Sequence, residues 1–173
     1  MKLSHLLLAA GVLGASCTWA SEQDPLAGID ELGRYLGAVR AGQSIVYRTL
    51  DYCAQQMPDK REQIENAKAQ WDGRNLPMVN SVKEVANGWF HVAGIPPESI
   101  PELLAVVDSS IAEAAGSVQP EEKAVAALAA LELEERKTRC GFYTGFVIGG
   151  GQDIQVVFPK AQDFYRKYAP ANP

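Results

Sequence analysis

Ile29-Asp30-Glu31-Leu32-Gly33-Arg34-Tyr35-Leu36-Gly37-Ala38-Val39 is the stretch whose periodicity decides the fold class of this chain. Ile29, Leu32, Leu36 and Val39 stand at i, i+3, i+7 and i+10, the spacing of one helix face and not the alternation of a half-buried strand. Ala41-Gly42 predicts a helix stop. A second stripe follows at Val46, Leu50, Cys53 and Met57, which places Cys53 on a buried face; Pro58 breaks it.

The same spacing continues downstream. Asp59-Lys60-Arg61-Glu62 has the form of a capping box, opening a helix with Ile64, Ala67 and Trp71 inside and Gly73 at its close. Pro77 is suited to the first turn of a fourth helix that buries Met78, Val82, Val85, Ala86, Trp89 and Phe90, with Asn87-Gly88 fraying its end. Gly94-Ile95-Pro96-Pro97 is a loop between two halves, because consecutive prolines remove donors and disfavour helix in the residue before each. Ser99 to Gly116 reads as a fifth helix with Leu103, Leu104, Val107, Ile111 and Ala114 on one face. Pro120-Glu121-Glu122 opens a sixth, whose acids suit the helix dipole and which is expected to run to Cys140, supported by the pairs Glu132 with Arg136 and Glu135 with Arg139.

Gly141, Gly145 and Gly149 are spaced by four in a segment too short to span a bilayer, so the expectation is a soluble helix whose glycine stripe lets a neighbour approach closely. Gly149-Gly150-Gly151 ends it. Ile154 to Phe158 reads as a short strand, with no partner strand evident in the sequence, and Pro159 opens a final helix carrying Phe164, Tyr165 and Tyr168. The fold class is therefore all-α: a single-domain bundle of about six to seven helices over residues 21–173.

Residues 1–20 carry the marks of an export signal: Lys2, an apolar run from Leu6 to Ala15, and Ala20 before a polar stretch. Leu13-Gly14-Ala15-Ser16-Cys17 is similar to a lipoprotein processing site, but the large aliphatic stands four residues before Cys17 where three is usual; cleavage after Ala20 is expected. Removing the leader takes one lysine and no acid, moving the formal charge from −5 to −6. That balance, with no Lys/Arg cluster, argues against nucleic-acid binding. Cys53 and Cys140 remain, and in an oxidising compartment two thiols on one domain are expected to pair as a disulfide. A redox or nucleophilic role needs a base or a CxxC partner, and neither is visible.

No catalytic, cofactor-binding or metal-ligating residue is assigned. His91 is the one histidine outside the leader, at an expected helix end where it caps carbonyls or is exposed. Glu62, Glu65 and Glu84 fall on polar helix faces; an enzyme would need an acid such as Glu84 or Asp108 inside a cleft. The aromatics of the C-terminal third are core by default, whereas an exposed Phe or Tyr patch there would fit protein recognition.

In its leader, size, helical pattern and Cys53/Cys140 pair the chain resembles the small periplasmic immunity proteins that protect bacteria from effectors delivered by type VI secretion. The resemblance implies a non-enzymatic periplasmic protein that inhibits an envelope-targeting toxin by covering its site, and it carries over no residue role. The loop Val92 to Ser99 and the glycine-rich region 141–151 are candidate surfaces. The alternative is a small-molecule or lipid carrier with a cavity inside the bundle.

Overall fold

Helix α1 (Pro25–Gln56) is 32 residues long, about 48 Å at 1.5 Å per residue, and most of the later helices pack against it. The computed structural model describes residues 25–113 and 120–170; the leader with Cys17 lies outside them, as do Ala114 and Gly116. After α1 come α2 (Arg61–Asn80), α3 (Val82–Val92), α4 (Ile100–Glu113), α5 (Pro120–Ala129), α6 (Leu133–Ile148), α7 (Ile154–Val157) and α8 (Pro159–Tyr168). Short 3-10 turns stand at Pro58–Lys60 and Pro97–Ser99. Since α7 is a single turn, seven longer helices build the bundle among the described residues, as the periodicity predicts. α1 packs on α2, α3, α5, α6, α7 and α8, while α2 also meets α6 and α3 meets both α4 and α8.

Two expected helices are one. Gly42 does not stop α1, because it is buried where Ile154 crosses: a Cβ there would stand 3.0 Å from Ile154 Cγ1. The glycine serves close packing, and its helix continues through it. The buried stripe is Leu32, Tyr35, Val39, Val46, Leu50 and Cys53, whereas Ile29 is 51% exposed and Leu36 only half-buried.

The boundary between α2 and α3 lies at Ser81, four residues after Pro77. Pro77 sits inside α2, and the Ser81 hydroxyl donates to its carbonyl at 2.7 Å. Gly73 is likewise traversed, its cost of about 1 kcal/mol relative to Ala outweighed by the packing of Trp71 and Asn75 on either side, both buried. Asp59 lies in the 3-10 turn, and no side chain caps the start of α2. α3 does not fray at Gly88. That glycine is where α8 docks, since a Cβ would stand 2.4 Å from the Tyr168 carbonyl oxygen. The interior residues from Met78 to Phe90 are nonetheless those predicted: Met78, Val82, Val85, Ala86, Trp89 and Phe90 are all buried. Gly94, at φ +72°, turns the chain out of α3, with the Ile95 amide donating to the Phe90 carbonyl at 3.0 Å.

The expected sixth helix is two, broken between Ala129 and Leu133. Arg136 explains the break. Its guanidinium donates to the carbonyls of Ala129 and Leu131 at 2.9 and 2.7 Å and to Gln56 Oε1 at 3.2 Å, capping the end of α5 where a pair with Glu132 was expected. Arg139 and Glu135 do pair, at 3.6 Å and well exposed. Ile154 to Val157 is helical, not a strand. Cys53 on α1 and Cys140 on α6 are both fully buried, with Sγ atoms 2.08 Å apart and Cα atoms 5.3 Å apart, the geometry of a disulfide.

Candidate functional site

The disulfide sets the orientation of α6. With Cys140, Thr144 and Val147 at i, i+4 and i+7 held inward, Phe142 and Phe146 are carried to the surface, 73% and 44% exposed. Their rings stack with centroids 6.3 Å apart and planes 11° from parallel. Gly141 and Gly145 beside them have nothing within 4 Å of where a Cβ would stand. The glycine stripe was expected to receive a neighbour; among the described residues none approaches it, and the face stays open.

The loop after α6 fixes the lower ring. The Gly151 amide donates to the Phe146 carbonyl at 2.9 Å, and a Cβ at Gly151 would fall 2.1 Å from Phe146 Cε2. Only glycine permits that ring to lie across the backbone. Gly150, at φ +80°, makes the preceding turn.

One face of α2 clamps this loop through Trp71, Arg74 and Asn75, at i, i+3 and i+4. Trp71 Nε1 donates to the Gln152 carbonyl at 2.9 Å, and Arg74 donates to Asp153 Oδ2 at 2.8 Å and to the Val147 carbonyl at 2.7 Å. Asn75 Nδ2 donates to Asp153 Oδ1 at 3.0 Å while its Oδ1 accepts from the Ile154 amide at 2.9 Å. Asp153 is 3% exposed and Asn75 4%, so both ends of a buried polar group are satisfied, as burial demands. The sequence reading missed this clamp. Its signal was present in an Arg-Asn pair one turn after a core Trp and an Asp two residues after a run of three glycines, but those residues lie almost eighty positions apart.

The result is a stacked aromatic ledge on a stiff support, with exposed Leu133 earlier on α6 and exposed Val156 and Val157 on α7. Of the two regions expected to carry a surface, the glycine-rich one holds this ledge, and the proline loop begins with Val92 at 69% exposed. Glu62, Glu65, Glu84 and His91 are exposed and gather nowhere; the side chain of Asp108 lies outside those described. Trp71, Trp89, Phe90, Phe164 and Tyr168 belong to the core.

Among the described residues no three His, Cys, Asp or Glu side chains are placed to hold a metal ion, and no helix is long and apolar enough to cross a membrane. A cleft of about 840 Å³ opens between α1 and the start of α8, against Arg34, Ala38, Phe158, Lys160 and Phe164. Comparison with family models, curated proteins and solved structures finds no match to this chain.

Proposed function

We propose that this protein is a non-enzymatic periplasmic inhibitor, an immunity protein that blocks a cell-envelope-targeting toxin by direct protein contact. The Phe142–Phe146 ledge carries this reading. A protein surface normally hides large aromatic rings, and rigid exposed aromatics are the residues that anchor the centre of protein interfaces. Here Phe146 lies across the backbone of a clamped loop and Phe142 stacks on it, so less loop and side-chain entropy is lost when a partner settles on them. The export signal and the disulfide support the compartment.

Deleting the gene is expected to sensitise cells to an effector delivered by neighbouring cells, and the full chain restores protection. A Phe142→Asp, Phe146→Asp double variant, exported and folded to the same level, is expected to fail. Deletion without sensitivity to any effector, or full protection by the double variant, contradicts the proposal.

A further inference from the structure

The cleft between α1 and α8 is separate from the aromatic ledge and has its own chemistry. Its volume of about 840 Å³ falls within the roughly 300–1,000 Å³ of small-ligand sites. The floor is the Tyr35 and Phe164 ring pair, with centroids 5.1 Å apart and planes 25° from parallel, and Ala38 and Phe158 stand at its sides. Gly37 has open space where a Cβ would stand, which keeps the α1 wall low. The lining extends over residues 31–38 of α1 and from Phe158 to Lys167 along α8, so the cleft is elongated, running about 10 Å along the helices.

Charge at the rim runs against the rest of the chain. Arg34, Lys160 and Lys167 face Glu31 and Asp163, three cations to two acids in a protein with 16 basic and 21 acidic residues. Lys167 Nζ lies 4.9 Å from the centre of the Tyr168 ring. Arg34 and Lys160 enter no ion pair among the described residues. Two cations with no ion pair among the described residues, at the mouth of an elongated apolar groove, suit an amphiphile with an anionic headgroup.

The geometry points to a binding site for a single-chain amphiphilic carboxylate, its apolar chain lying along the groove between α1 and α8 and its headgroup held by Arg34 and Lys160. A carboxylate accepts charge-assisted hydrogen bonds from both cations, and the chain removes apolar surface from water. The site does not depend on the inhibitor reading, because it uses a different surface.

Isothermal titration of the exported protein with decanoate, decanol and decyltrimethylammonium separates the contributions. Decanoate is expected to saturate at one per chain and to bind at least about tenfold tighter than the cation. An Arg34→Gln, Lys160→Gln double variant is expected to lose about tenfold in decanoate affinity, whereas Lys137→Gln on α6 changes nothing. Ala38→Trp fills the groove and abolishes binding; if circular dichroism shows that variant unfolded, the charge variant decides. Failure of decanoate to saturate, undiminished binding by the double variant, or equal binding of all three amphiphiles overturns the assignment. None of these results touches protection against a toxin.

Discussion

Tyr143 and Thr49 flank the disulfide one turn from each cysteine, and their hydroxyls meet in the core without closing a hydrogen bond of ordinary geometry. Burial pushes the Tyr143 phenol from its ordinary 10.0 up to about 12, with the Thr49 hydroxyl opposing. The folded state therefore favours the neutral phenol. The stability this contributes is complete below pH 10 and is lost as pH rises through 12. Denaturant unfolding across that window is expected to show a shallower loss for Tyr143→Phe than for the parent chain, and equal slopes would contradict the shift.

At the scale of elements, the clamp between α2 and the loop before α7 is the feature most open to a single substitution. Asp153→Ala leaves the Asn75 amide short of a buried acceptor and Arg74, whose side chain is 33% exposed, without its carboxylate. A loss of about 1–3 kcal/mol is expected in urea unfolding, together with faster hydrogen exchange at the Gly151 and Ile154 amides; unchanged exchange there would show that the loop holds itself. The elements also show what local sequence can carry. Stripes such as Val46-Leu50-Cys53 and Val82-Val85-Ala86-Trp89 are buried as their spacing predicts, because periodicity is set by the helix itself. Punctuation is not local. Gly42 packs beneath Ile154, Gly88 beneath the Tyr168 carbonyl, and the end of α5 is made by an Arg seven residues on. Each of those meanings depends on a neighbour that only the folded chain supplies. The ledge was half legible: the glycine-spaced aromatic segment stands out, but which rings face outward follows from Cys140 facing inward.

For the whole molecule the disulfide dominates, joining α1 to α6 over a separation of 87 residues. Closing so long a loop in the unfolded chain stabilises the fold by about 4–5 kcal/mol in the chain-entropy model. Reduction, or a Cys53→Ala, Cys140→Ala variant, is expected to lower the thermal midpoint by roughly 10 °C or more, read by differential scanning calorimetry. An unchanged midpoint would mean that packing of α1, α2 and α6 alone holds the bundle.

The same bond divides the chain into two mechanical classes. Tension applied between a point before Cys53 and a point after Cys140 passes from α1 across the sulfur bridge into α6, so residues 54–139 are bypassed and cannot be drawn out while it is intact. Only α1 and the segments from the end of α6 to α8 are left to yield. The ledge is built on that yielding side, yet its clamp is anchored in α2 on the shielded one. A pull applied at the ledge would be resisted first by the bonds of Trp71, Arg74 and Asn75, and an oxidised chain would show a shorter extension per molecule than a reduced one.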